Sequence, residues 1–315
     1  MYKIVFMGTP QFSVPILKAL SESEQVEVVA VVTQPDRKVG RKKVLTPPPV
    51  KALALELDLP VYQPEKLSGS EEMQQILDLK PDLLITAAYG QYVPTKLLYT
   101  PEFKSINVHA SLLPKYRGAA PIHSAIINGD DETGVTIMYM EKEMDAGNII
   151  AQQTIPITKQ DDVGSMFEKL SLLGRDTLME ILPAIFNRTN PSIEQDPNEV
   201  TYAPMIHSEQ EKIDFNQTAE EIDCKVRGLR PFPGSHTYFQ GKRMKIWSVK
   251  PVEGTATKKP GTIEEIQKNA IVVACGSRTL IELIEIQPSG KPKMKTRDYL
   301  VGAGSQLKEG CKFGE

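Results

Sequence analysis

Cysteine is scarce. Only Cys224, Cys275 and Cys311 occur among 315 residues, far apart and without a CxxC pair. That spacing excludes a disulfide framework and fits a reducing, cytoplasmic setting. The four histidines, His109, His123, His207 and His236, show neither HxxxH nor mixed Cys/His spacing. No structural zinc site is expected, and no metal is assigned. No apolar run approaches the ~18 residues of a membrane helix. The opening MYKIVFMG lacks the layout of a signal peptide and reads as a strand. Hydrophobic residues make up 40% of the chain and charged residues 24%. This excludes disordered, collagen-like and coiled-coil chains and leaves a globular protein of about two domains.

The net charge of −3 is unevenly spread. From residue 208 onward Lys and Arg outnumber Asp and Glu by four, whereas residues 1–207 carry seven excess acids. A basic C-terminal third points to a polyanionic partner, although a solvated surface gives the same imbalance.

Apolar, β-branched runs at Lys3–Met7, Val26–Thr33, Asp82–Ala87 and Ser105–His109 alternate with helical spacing near residues 12–20, 50–57, 71–79 and 122–128. Two further strands over 133–140 and 149–155 precede a long helix over 163–186. Such alternation predicts an open, mostly parallel, Rossmann-like α/β sheet, whose ligand sits outside the carboxyl ends of the strands. After 186 the composition turns to Asn, Pro, Ser and Thr. This gives a domain over 1–188, a linker over 189–207 and a domain over 208–315. In the last, a capped helix from Thr218 precedes short strands separated by turns, the pattern of a small β-barrel or sandwich.

A strand, Gly8 and a helix suggest dinucleotide binding. However, Gly8-Thr9-Pro10-Gln11-Phe12 lacks the later glycines of GxGxxG, and no GxxxxGK[ST] is present. A hydride-transferring dehydrogenase is therefore a poor reading. The informative stretch is Ser105–Gly118, SINVHASLLPKYRG. Asn107 and His109 stand two apart on a strand, so an amide and an imidazole project from one face. Such a pair can hold a developing oxyanion. A carboxylate beside the imidazole, supplied by Asp145 in MEKEMDAGN, favours its charged form. Taken singly, each has a structural alternative: a hydrogen-bonding histidine, a loop-capping asparagine, a turn aspartate.

Together these segments resemble the folate-dependent formyltransferases. The likeness is carried by NVHASLLPKYRGAAPIHSAIINGDDETGVTIMYMEKEMDAGNII, by IVFMGTPQFSVPIL, by TQPDRKVGRKKVLTPPPVKALA and by KVRGLRPFPGSHTYFQGKRMKIW. It is most similar to the tRNA-directed branch and covers nearly the whole chain. The resemblance implies an OB-like second domain, 10-formyltetrahydrofolate as co-substrate without a metal, and methionyl initiator tRNA as acceptor. It implies Asn107, His109 and Asp145 as catalytic residues and Ser111, Leu112, Leu113 and Pro114 as the folate-binding motif. Tyr89 and Gly90 then line the pterin pocket, and Phe12 lies near the methionyl side chain.

Arg37, Lys38, Arg41, Lys42 and Lys43 lie in a basic loop that precedes three prolines. A solvated charge run is the plain reading, but a loop on the ligand rim can also reach a phosphate backbone. The resemblance favours the latter and gives Arg41 the leading role. Basic residues interleave with aromatics at Arg227, Arg230, Phe232, Lys242, Arg243, Lys245 and Trp247, and Lys291, Lys293, Lys295 and Arg297 form a second cluster. Two other readings are a formyltransferase for a small amine, such as glycinamide ribonucleotide or an amino-sugar nucleotide, and a non-catalytic nucleic-acid-binding module. The first leaves the basic segments without a role, the second leaves the polar trio without one. A monomer without membrane contact is expected.

Overall fold

The computed structural model describes residues 1–40, 42–305 and 307–314. Residue contacts divide them into two compact units, and neither is one continuous stretch. The first contains Met1–Pro121, Thr133–Ile155 and Phe167–Ala203, the second Ile122–Glu132, Pro156–Met166 and Pro204–Glu315.

Nine strands occur in the first unit: β1 (Tyr2–Gly8), β2 (Val26–Val32), β3 (Arg37–Val39), β4 (Val44–Thr46), β5 (Val61–Tyr62), β6 (Leu83–Ala87), β7 (Ser105–His109), β8 (Glu132–Tyr139) and β9 (Ile149–Pro156). Seven form one sheet in the order β5-β2-β1-β6-β7-β8-β9. The pairs from β5 to β7 are parallel, and β8 runs antiparallel to β7. Strands β1 and β6 are buried on both faces, as covered parallel strands require. Chain order reverses between β1 and β6, which opens a crevice beyond their carboxyl ends. Register sets Gly8 beside Ala87, and Thr86 beside Asn107.

The helices up to residue 186 are α1 (Val14–Ser21), α2 (Pro49–Glu56), α3 (Glu71–Asp78), α4 (Thr95–Tyr99), α5 (Pro121–Ile127) and α6 (Val163–Phe186), of which nearly all of α5 and the start of α6 fall in the second unit. Helix α1 buries Ile16, Leu17 and Leu20, one apolar stripe of a 3.6-residue period. Helix α6 lies close under β7: a Cβ on Gly174 would sit 2.8 Å from Val108, next to His109. The segment read as a linker pairs with the first unit. Ile193 bridges Ile149, and Tyr202 bridges Arg117.

In the second unit, α7 (Ala219–Leu229), β10 (Ser235–Phe239), β11 (Lys242–Val252), β12 (Ile263–Ile266), β13 (Ile271–Ala274), β14 (Leu280–Pro288), β15 (Met294–Lys295) and α8 (Thr296–Val301) follow in order. The sheet order is β10-β11-β14-β13-β12, with β15 on β14 and every pair antiparallel. Phe313 bridges Phe239 on β10, and Lys312 bridges Thr262 beside β12. The final turn thus ties both edges and curls the sheet toward a barrel, covering strand edges that would otherwise stand open. Ala219, Ile222 and Val226 of α7 pack with Met244, Ile246 and Ile281.

The cap expected at Thr218 is present. Its hydroxyl accepts from Glu221 N, and the Glu221 carboxylate accepts from Thr218 N at 2.7 Å. Thr218→Ala should lower stability by about 1 kcal/mol, read as a fall in the denaturation midpoint with the slope unchanged.

Candidate active site

Strand β7 delivers the polar pair. The Thr86 hydroxyl donates to Asn107 Oδ1 at 2.7 Å. This engages the amide oxygen and leaves Nδ2 as a donor. His109 is buried, and its Nε2 lies 3.0 Å from the Tyr116 carbonyl oxygen. A carbonyl only accepts, so Nε2 carries the hydrogen. Nδ1 faces Asp145 Oδ2 at 3.7 Å, inside ion-pair range but beyond hydrogen-bond length.

Asp145 is held in the left-handed region at φ 52°, a conformation side chains other than glycine seldom take. Gly118 N donates to its Oδ2 at 2.9 Å. Gln195 Nε2 donates to the Asp145 and Gly147 carbonyls, each at 2.8 Å. Gln195 Oε1 in turn accepts from Arg117 Nε at 3.0 Å, and Arg117 also pairs with Glu143 at 3.2 Å. Gly147 lies where a Cβ would stand 1.9 Å from the Tyr139 carbonyl oxygen.

Ser111–Pro114 forms a turn fixed to the sheet by Thr136 on β8. The Thr136 hydroxyl donates to Ser111 O at 2.6 Å and accepts from Leu113 N at 3.1 Å. Gln152 on β9 donates to Leu113 O at 2.7 Å. Ser111 Oγ closes the turn on Lys115 O, and Leu113 packs with Met138 and Ile149. Leu112 and Pro114 remain half-buried.

Past β6, Gly90 is left-handed at φ 86°. Thr9 Oγ1 donates to the Tyr89 carbonyl at 2.7 Å and Gln34 Nε2 does so at 3.3 Å. The Tyr89 ring packs among Val93, Leu97 and Leu98, where burial pushes its hydroxyl up to about 12. Tyr89 therefore offers its backbone at the strand end rather than its ring. Phe12 is buried edge-on to Phe167 at 6.2 Å, and its carbonyl accepts from Ser171.

The basic loop is a hairpin. Strands β3 and β4 pair antiparallel, Lys38 with Leu45 and Val39 with Val44. Lys38, Lys42 and Lys43 are exposed, as is Arg37, which pairs with Glu65 at 3.0 Å. Arg41 lies outside the described residues. At the base, Asp36 accepts from Gln63 and Lys51, both at 2.8 Å, and these bonds hold its carboxyl below the usual range.

One basic residue of the tail needs correction. Arg227 is buried, bonded to Asp223 at 2.8 Å and to the Asp161 carbonyl at 3.1 Å. It braces α7 and offers nothing to a phosphate. Lys293 and Lys295 both pair with Glu285, at 2.7 and 2.8 Å. Trp247 has Lys245 and Lys293 over its ring at 5.1 and 5.5 Å.

Sequence reasoning missed Arg117, Thr136, Gln152 and Gln195. Arg117 lies inside SLLPKYRG and was at hand. The others act through backbone contacts across long stretches of chain and leave no spacing to detect. Among the described residues, no group of three or more His, Cys, Asp or Glu is placed to hold a metal ion. No described helix is long and apolar enough to cross a membrane.

The profile of the family described as formyl transferase matches residues 2–182, and that of the formyl transferase C-terminal domain matches 205–304. Together with the polar trio at the strand ends, they define a formyl transferase. A methionyl-tRNA formyltransferase of Enterococcus faecalis is 55% identical over 309 residues, covering 98% of each chain. One of Levilactobacillus brevis is 52% identical over 315 residues and covers all of both chains. The chain belongs to the methionyl-tRNA formyltransferase family. The fold is shared with a Helicobacter canadensis N-formyltransferase solved with folinic acid and dTDP-3-aminofucose. That match has TM-score 0.68 at 21% identity, covering 91% of this chain and all of the other.

Proposed function

We propose that the protein transfers the formyl group of 10-formyltetrahydrofolate to the α-amino group of methionyl initiator tRNA, as a cytoplasmic monomer. The carrying observation is the buried His109–Asp145 pair beside Asn107 at the carboxyl end of β7. It occurs in a chain more than half identical to methionyl-tRNA formyltransferases along its length. Residues 1–188 supply most of the chemistry, 208–315 hold tRNA, and 189–207 join them while pairing with the first unit.

The neutral α-amine attacks the formyl carbon. Its ordinary pKa of about 7.7–8.0 leaves a usable fraction near neutral pH. A C–N bond forms, and the carbonyl electrons move to oxygen. Asn107 Nδ2 donates to that oxyanion, and positive charge on the His109 ring faces it. Asp145 stabilises the charged ring and helps move the proton that the attacking nitrogen sheds. The bond from the formyl carbon to N10 then breaks, and N10 takes up a proton as tetrahydrofolate leaves. Ser111–Pro114, with Tyr89 and Gly90, holds the folate, and Phe12 borders the methionyl side chain.

The exposed hairpin cations Arg37, Lys38, Lys42 and Lys43, together with Arg41, contact the acceptor end of the tRNA. Phosphate contacts release counterions. KM for tRNA should therefore rise at least roughly tenfold between about 50 and about 200 mM salt, while KM for folate stays flat. A flat tRNA response would remove the polyanion contact. The reaction itself is tested by formyl transfer to methionyl initiator tRNA, with glycinamide ribonucleotide as the rival acceptor. Product on the small acceptor alone would overturn the tRNA reading.

A further inference from the structure

We infer that Gln195 is a positioning residue for Asp145, so that the segment outside both family profiles completes the active site. The inference rests on the catalytic role proposed for Asp145. Gln195 lies between the end of one profile match at 182 and the start of the next at 205. Its composition there is Asn190-Pro191-Ser192-Ile193-Glu194-Gln195-Asp196-Pro197, that of a connector. Yet the segment is docked. Ile193 and Ile149 exchange backbone hydrogen bonds at 2.7 and 2.9 Å, and Ala203 N donates to Arg117 O at 2.8 Å.

Between these anchors, the Gln195 amide reaches the loop that carries Asp145. Its two Nε2 hydrogens go to the carbonyls of Asp145 and Gly147, and its oxygen takes the Arg117 Nε hydrogen. All of its donors point at the loop, and its acceptor is spent on a buried guanidinium. The orientation of the amide is thereby set, because Arg117 only donates and the two carbonyls only accept. The carbonyl that Gln195 grips belongs to the residue at φ 52°. That backbone conformation aims the Asp145 carboxylate at Gly118 N and at His109 Nδ1. Among the described residues no other donor holds the Asp145 carbonyl, so without the amide the residue is free to relax to ordinary backbone angles. The carboxylate would then swing away from the imidazole.

The test is a double-mutant cycle on the full chain. Gln195→Met keeps the length and removes both donors. It should lower kcat between roughly ten- and 100-fold, the scale of a misplaced catalytic group. KM for both substrates and the melting temperature should hold. Gln195→Glu, which keeps an acceptor for Arg117 but loses the donors, should lose at least as much. In an Asp145→Asn background, Gln195→Met should cost less than about twofold more, because residues acting as one unit are not additive. Full additivity, or a Gln195→Met enzyme with normal kcat, overturns the inference. A fall in melting temperature with a proportional loss of active enzyme also overturns it, since the residue is then structural. An Asp145→Asn enzyme with normal kcat instead strikes the catalytic reading beneath it.

Discussion

Replacing His109 by alanine should lower kcat for formyl transfer roughly 100- to 1000-fold, with KM for both substrates within about threefold of the parent. In the proposed mechanism the imidazole acts on an oxyanion that exists only in the transition state, so its loss is expected in kcat. The geometry narrows the chemistry. Nε2 is committed to the Tyr116 carbonyl, so in the proposed mechanism the proton that the charged ring can give up is the one on Nδ1, which faces Asp145 at 3.7 Å. His109→Gln preserves a hydrogen-bond donor but cannot carry the proton, and it should not restore the rate. Single-turnover kinetics with saturating folate separate this loss from slow product release. A normal kcat in His109→Ala would remove the histidine from the mechanism, and a glutamine that restores it would reduce the role to hydrogen bonding.

The second large effect is expected at a residue with no side-chain chemistry of its own. Gly147→Ala places a methyl 1.9 Å from the Tyr139 carbonyl oxygen and 2.8 Å from its carbon, both backbone atoms. Neither is the far end of a flexible side chain, so the loop itself has to move. Tyr139 N donates to Asn148 O at 3.0 Å, which ties the same turn to β8. A shift there is passed to Asp145, two residues earlier, and to the carbonyl gripped by Gln195. The kcat of Gly147→Ala should fall by more than about 100-fold. The tRNA should still bind, because the basic hairpin and the second unit are untouched. Tight tRNA binding without turnover, measured by filter retention beside a formylation assay, is the expected pair of results. Near-parental turnover would mean that the loop has room the distances deny it.

The fold was largely legible because the buried strands are apolar and short. VEVVAVV and LLITA have few alternatives once helical stripes flank them. Asn107 and His109 were legible for the same reason: the period-two rule places both on one face once β7 is recognised. The hairpin at 37–46 was not, since its strands are three residues each and fully exposed, leaving no buried face to generate a pattern. Helix α4 is five residues long, and its burial of Leu97 and Leu98 is too brief for a period. Tyr89 shows a different limit. Sequence placed the residue at the strand end correctly but gave no sign that its ring turns back into the core. The anchoring by Thr136, Gln152 and Gln195 depends on one side chain meeting a distant carbonyl, information that resides in the folded chain alone.

The interleaved units carry a consequence for synthesis. Arg227 and Arg230 of the second unit depend on Asp161 and Asp162, which leave the ribosome some 65 residues earlier. At roughly 5–20 residues per second, those acids and α5 wait several seconds before α7 emerges. During that interval the first sheet already has its strands, while the side chains due to meet α7 stand open to water and to other nascent chains. Slowing translation between residues 166 and 219 should lengthen that exposure. Chaperones that cover exposed apolar segments would then matter more to the yield of this protein than its finished stability suggests.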